Sequence, residues 1–396
     1  MKMNCKPDGR EILFNEEQIG PYPDHLLKRV DVPTNWIEGN EPKRKGHNDT
    51  AKATVERPKG RKPIYTTPIF KSINEVRQYL MGVSQNPNPV AEKQAPIPED
   101  PRVRSRHLKS LAYFTGADAV GICQIPEYGK YLDTDGNPRG GKESVPFDGS
   151  EYKYAIVLVK RKDPVTTGAS NGIDWIYNTC NHECYIQLYH QSETLARYLR
   201  RLGFQALASN FSNYVTVMTS MIIAAGLGES GRLGIAVNPF FGPNLKAACV
   251  LTNMELEPDK PIDFGLQEFC KTCGICSEVC PSKAISSDND MVEYNGYRKF
   301  KMDYVQCVNM GVQGKTVCGR CANFCPWTRP DVGPEFYKDW DGDVEKLYES
   351  VRARAAYLRE NNFNTDSYKT KRWWFDLIEN EDGELVVPGG SKDTKQ

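Results

Sequence analysis

Four cysteines fall within eleven residues in "CKTCGICSEVC", Cys270 to Cys280, and Pro281 follows at once. The spacing C-x2-C-x2-C-x3-C-P is the ligand run of a [4Fe–4S] site whose fourth cysteine serves the other cluster of a pair. Downstream, "CGRCANFCP" adds Cys318, Cys321 and Cys325. One cluster is therefore expected on Cys270, Cys273, Cys276 and Cys325, and a second on Cys280, Cys307, Cys318 and Cys321. For the second, "CVNMGVQGKTVC" must loop out to bring Cys307 back. Structural zinc also takes four thiolates and is the competing reading. The order of the cysteines, with a proline after each terminal one, favours iron–sulfur. Two such clusters imply redox work.

The remaining cysteines, Cys5, Cys123, Cys180, Cys184 and Cys249, are scattered. That clustering argues against a disulfide framework, which spreads its cysteines through a small secreted domain. At 396 residues the chain buries a core without one. Lys plus Arg and Asp plus Glu balance at 51 each, so there is no global attraction to nucleic acid or to an anionic membrane. A local basic run stands at "PKRKG", Pro42 to Gly46. No stretch approaches the about eighteen apolar residues of a membrane span, and the start, "MKMNCKPDGREIL", lacks the apolar middle of a secretory signal. The chain reads as soluble and globular, with any leader already removed.

Residues 1–101 are Pro-rich and charged, and read as an arm wrapped over a core, with one short helix near Ile73 to Met81. Residues 102–262 alternate helices and strands and read as an α/β core. "RSRHLKSLAYFTG" is helical and stops at Gly116, "ADAVGIC" and "YAIVLV" are strands, and residues 183–203 form an amphipathic helix ending at Gly203. Ile186, Tyr189, Leu195, Leu199 and Leu202 mark its apolar face. A strand at 204–208, a helix near Val215 to Ala225 and strands at 234–237 and 246–252 complete the core. The cluster module occupies 263–330, and 331–396 packs back as a C-terminal segment. "GLGESG" fits G-x-G-x-x-G, but it follows a helix and leads into a strand, the reverse of a dinucleotide fingerprint.

A pure electron carrier needs only the cluster module, so the core must hold something else. The order of "TLARYLRRLGF", "AAGLGESGRLGIAVNPFFGPNLKAACVLTN", "EPDKPIDFG", "CKTCGICSEVCPSKAI" and "CGRCANFCPW" resembles the catalytic subunits of respiratory reductive dehalogenases, over roughly Ala155 to Trp327. The resemblance implies a nitroreductase-like α/β (α+β) core carrying a corrinoid (cobalamin) with base-off cobalt, two [4Fe–4S] clusters that feed it electrons, and a small organohalide substrate. It also implies a twin-arginine leader, absent here, a place on the outer face of the cytoplasmic membrane, a small membrane anchor protein and a membrane electron donor. A homodimer stays open.

The family's acid, a tyrosine shortly before the "LARYLR" segment, falls on Tyr185. Replacing halogen by hydrogen consumes a proton, and a phenol with an ordinary pKa near ~10 needs a cation to stabilise the phenolate it leaves. The family's basic residue after "FGPN", commonly arginine, is Lys246 here; it keeps the charge and loses the bidentate fork. Phe211 falls at an often polar pocket position and would narrow and dry the pocket. Trp327 is either a lid on the first cluster or a wall of the substrate pocket. The "NPFFGPN" turn, through Asn238, Phe240, Gly242 and Asn244, is expected to offer polar groups to the corrin rim. Without the resemblance, Tyr185 would read as a core tyrosine and Lys246 as a solvated charge.

Two other functions compete. Epoxyqueuosine reductase, a tRNA-modifying corrinoid enzyme, shares the core and clusters, but would need a basic face for phosphates and usually carries a helical-repeat tail. An electron-transfer subunit would carry clusters and no corrinoid.

Overall fold

The computed structural model describes residues 18–34, 67–83, 88–125, 151–172, 174–211, 214–294, 297–313, 317–369, 377–380 and 382–386. The basic run at 42–46 lies outside them.

The core is a four-stranded sheet of β1 (Ala119–Gln124), β2 (Tyr154–Arg161), β3 (Ala206–Ser209) and β4 (Leu245–Thr252), in the order β1-β2-β4-β3. Every neighbouring pair is antiparallel, so the sheet is α+β in kind. The alternation of helix and strand along the chain nonetheless has a structural meaning. β2 and β3 both run opposite to β4 and hence parallel to each other, and the helix between them is a true crossover. What the alternation cannot show is that β4 inserts into the gap, long after the crossover is complete.

Period-two side-chain alternation splits each strand between two cores. In β2, Ala155, Val157 and Val159 face one side and Ile156 and Leu158 the other, all fully buried. Helices α1 (Pro68–Val83), α2 (Pro101–Phe114) and α3 (Ile176–Arg201) precede or follow these strands. α2 and α3 cover the Ile156 side through Leu108, Ala112, Leu188, Leu195 and Leu199. The Val157 side packs against Met221, Phe240, Phe241 and Trp327.

α2 starts where Asp100 caps the N–H of Arg102 at 2.9 Å with Pro101 at the first helical position. α3 begins at Ile176 instead of the expected 183, because the Asp174 carboxylate accepts from the Asn171 and Ile176 N–H groups. That start precedes the apolar repeat, so periodicity misses it. Its buried face holds Leu188 where Ile186 was expected; Ile186 is half-buried. α1, longer than the expected 73–81 segment, lies along α3.

The "GLGESG" glycines follow the helix Met218–Ala224 and open a short hairpin, Glu229–Ser230 against Ala236–Val237, as expected of a turn. Residues 18–34 lie across "EPDKPIDFG", with Val30 N–H donating to Pro261 O at 2.9 Å and Lys28 paired to Asp263 at 2.7 Å. The module opens with α4 (Leu266–Cys273), and α5 (Val344–Glu360) packs on it near the C-terminus through Leu358 and Ala355 beside Ile275 and Phe324.

Candidate functional site

Two groups of thiols form in the cluster module. Cys325 lies within the electrostatic reach of Cys273, Cys276 and Cys270, and Cys321 within that of Cys307, Cys318 and Cys280. The groups adjoin, since Cys276 also senses Cys321. Two turns shape them. Gly274 at φ +67° and Gly319 at φ +65° adopt the left-handed conformation between successive cysteines, letting the chain wrap around a point instead of continuing a helix.

Burial pushes the thiols of Cys270 and Cys321 up to about 12 and that of Cys307 to about 11. Such thiols ionise when a metal replaces the proton, which couples metal loading to proton release. Cys280 behaves differently. Burial raises it too, but the Ser282 hydroxyl and the N–H groups of Ile285, Ala284 and Ser282 outweigh burial and lower it. Among the described residues, no three Cys, His, Asp or Glu side chains converge as ligands of one ion. Cys270, Cys273, Cys276 and Cys325 of the first group line a partly open pocket together with Arg232 and Trp327. The donor set and its spacing fit an iron–sulfur cube.

Trp327 therefore stands at the first thiol group. It is 1 % exposed and packs edge-on against Phe264, Phe269 and Tyr348 at 5.0, 5.6 and 5.7 Å between ring centroids. Of the two places expected for it, these contacts and the shared lining put Trp327 beside the first thiol group.

The second constellation lies on the α3 side of the sheet. Alternation along β4 turns Leu245, Ala247 and Cys249 toward the Val157 core, which sends Lys246 to the opposite face, under α3. There its Nζ stands over the Tyr185 ring, 5.1 Å from the centroid. Phe211, 7 % exposed and just beyond β3, stacks at a tilt against Tyr185 at 5.5 Å and Tyr189 at 6.0 Å. Arg77 of α1 approaches Phe211 from outside at 5.7 Å. Directly opposite Lys246 in register is Lys160, whose charge is met by Asp118 at 3.0 Å. Lys246 has no carboxylate partner among the described residues.

Sequence reasoning missed two residues that join the constellations. Lys162, 1 % exposed, holds its ammonium 3.7 Å above the ring of Tyr177. Burial drives its pKa far down, and the neighbouring charge of Lys246 lowers it further. Tyr177 in turn packs on Gly319, where an added Cβ would lie 2.1 Å from its ring. Burial raises the Tyr177 hydroxyl, and the charges of Cys321, Tyr185 and Cys318 add to that. Tyr177 and Lys162 thus fill the space between the second thiol group and Tyr185. No local pattern marks either residue, because each is defined by contacts made across the chain.

The "NPFFGPN" turn does not present itself to a ligand as expected. Asn238 donates to Leu227 O at 2.8 Å and accepts from the N–H groups of Phe240 and Phe241, while its backbone closes a bridge with Gly242. Phe240 is stacked on Tyr22 and edge-on to Tyr337 and Trp340, and Gly242 sits against the Trp327 backbone. These three residues brace the core. Asn244 differs: its amide donates to Thr167 Oγ1 at 2.6 Å, but its carbonyl oxygen is buried without a donor. Asn181, on α3 one turn before Tyr185, has the same unmet carbonyl. Each oxygen lacks a donor of the kind that an amide N–H on the rim of a corrin would supply, so both residues fit such a ligand.

A 4Fe-4S dicluster domain matches residues 269–329, which include all eight module cysteines. A solved catabolic reductive dehalogenase in complex with 3-bromo-4-hydroxybenzoic acid superposes with a TM-score of 0.73 at 28% identity, over 94% of this chain and 53% of that one. The chain has the reductive dehalogenase fold. The tetrachloroethene reductive dehalogenase of Sulfurospirillum multivorans is 29% identical over 294 residues, covering 66% of this chain and 56% of that protein. The enzyme of that name from Dehalobacter restrictus is 27% identical over 286 residues, 61% and 50% of the two chains. This chain thus spans about half the length of the reductive dehalogenases it matches. Epoxyqueuosine reductase of Lactococcus garvieae matches over a shorter stretch, 172 residues at 26% identity, and is the more distant relation. No described helix is long and apolar enough to cross a membrane.

Proposed function

We propose that this chain is a corrinoid-dependent reductive dehalogenase acting on a small organohalide. The observation that carries the reading is the meeting of Tyr185, Lys246 and Phe211 beside a dicluster module in this fold. Dehalogenation by one solved reductive dehalogenase of this fold is B12-dependent. The overall change is R–X + 2 e⁻ + H⁺ → R–H + X⁻. When bound, a corrinoid supplies a strongly reducing cobalt centre able to open a carbon–halogen bond.

The protein's own contribution is to deliver electrons and one proton in a dry space. Cys270, Cys273, Cys276 and Cys325 would hold one cluster, and Cys280, Cys307, Cys318 and Cys321 the other. The carbonyls of Asn181 and Asn244 would accept from the corrin rim. Tyr185 gives its hydroxyl proton to the carbon that loses halogen, and the Lys246 charge stabilises the phenolate left behind. Phe211 excludes water from the same space, which strengthens that attraction. Its aromatic wall favours a chlorinated alkane or alkene over a polar aromatic substrate. A membrane anchor, a membrane electron donor and a place on the outer face of the cytoplasmic membrane in anaerobic respiration rest on kinship alone.

Protein prepared without oxygen, supplied with cobalamin and a low-potential donor, is tested for chloride release from chlorinated methanes, ethanes, ethenes and phenols. Turnover with the small aliphatic members is expected. Bound iron with no cobalt uptake and no chloride release would reduce the chain to an electron carrier. Turnover of an epoxyqueuosine-bearing tRNA stem loop in place of any organohalide would favour the tRNA-modifying reading.

A further inference from the structure

Arg232 is 1 % exposed, yet carries a charge that a guanidinium cannot shed. It donates from Nε to Cys270 O at 3.1 Å, from Nη1 to Ser286 O at 3.0 Å and Asp288 O at 2.6 Å, and from Nη2 to Asn289 Oδ1. Phe300 covers it at 4.3 Å. Every one of these partners is neutral, and no carboxylate pairs with it among the described residues. Glu229, three residues earlier, is committed elsewhere, to the N–H groups of Phe264 and Leu266 and to Thr34.

An unpaired buried cation is costly unless an anion completes it. Arg232 lines the pocket formed by Cys270, Cys273, Cys276 and Cys325, and its Nε donates to the backbone carbonyl of the first of them. A cluster held by those four cysteines would supply that anion. A cube held by four thiolates is negatively charged, and becomes more so when it accepts an electron.

We propose that Arg232 is the fixed counter-charge of the first cluster and raises its reduction potential by stabilising the reduced form more than the oxidised one. This rests on the iron–sulfur part of the reading above. Cluster reduction takes one electron from an external low-potential donor such as titanium(III) citrate and needs no proton, since arginine stays charged throughout. Arg232 acts through the cluster and is a positioning residue.

The test is a potentiometric titration of the anaerobic holoprotein followed by electron paramagnetic resonance, in the parent and in Arg232→Gln, Arg232→Lys and Lys271→Gln. Lys271 is an exposed charge on α4, next in sequence to Cys270, and serves as control. In Arg232→Gln the midpoint of one cluster is expected to move to more negative potential while the other stays; Arg232→Lys and Lys271→Gln should titrate like the parent. An unmoved midpoint in an Arg232→Gln protein with full iron content overturns the proposal. So does an Arg232→Lys midpoint displaced downward, because the charge is kept there and only the donor fork is lost. Should Arg232→Gln fail to load iron, Arg232→Lys decides the matter by the same criterion. A parent that binds no iron defeats the iron–sulfur reading itself, a separate and visible failure.

Discussion

Lys246 places its ammonium over the Tyr185 ring, 5.1 Å from the centroid, with no carboxylate among the described residues to share its charge. A cation in that position does little for a neutral phenol and much more for a phenolate, so it acts when the proton has left. Tyr185→Phe keeps the ring that packs on Phe211 and removes the hydroxyl that carries the proton. Dehalogenation is expected to fall about 10²- to 10⁴-fold, the range of a general acid, with iron and corrinoid content unchanged. Chloride release measured beside metal analysis checks this, and parent-like turnover would remove Tyr185 from the chemistry.

Lys246→Ala is expected to reduce turnover about 10- to 100-fold, roughly 1.4–2.7 kcal/mol of transition-state stabilisation. Lys246→Arg should recover most of it, since the charge is what matters at this distance. Equal losses in the two variants would mean that shape, not charge, sets the role of the lysine.

Gly274 and Gly319 share a left-handed conformation but not a neighbourhood. A Cβ on Gly274 meets nothing within 4 Å, whereas on Gly319 it would lie 2.1 Å from the Tyr177 ring. Gly274→Ala bears the conformational strain alone, about 1–2 kcal/mol. Gly319→Ala must also displace Tyr177 and the Lys162 ammonium above it. Iron content is expected to survive in the first variant and to drop in the second; equal retention would show that Tyr177 yields freely.

Glu229 is buried beneath α4, and burial raises its carboxyl to about 7 despite three donors. The folded protein then binds this proton more tightly than the unfolded chain, whose glutamate titrates near ~4.3. The stability it contributes is complete below that value and is lost as pH rises through about 7. The loss is on the order of 3 kcal/mol. Glu229→Gln can keep all three bonds without the charge. Thermal unfolding at pH 5.5 and 8 should show the parent losing more stability than the variant; parallel losses would place the titration elsewhere.

Much of the chemistry was legible in local order. Cysteine spacing alone grouped the thiols as the structure groups them, since ligand runs are short and their geometry is nearly local. The strands at Ala119, Tyr154 and Leu245 were legible for a related reason: continuous apolar runs bury both faces. Resemblance, not pattern, singled out Tyr185, Lys246 and Phe211. Their meeting was settled by the insertion of β4 between β2 and β3 and by the parity of Lys246 on that strand. The tertiary structure alone turned the "NPFFGPN" polar groups inward, set Trp327 against the first thiol group and buried Lys162, Tyr177 and Arg232. Periodicity reports which face of an element is apolar. It carries no record of which distant element will cover that face, and an unpaired charge acquires meaning only from that cover.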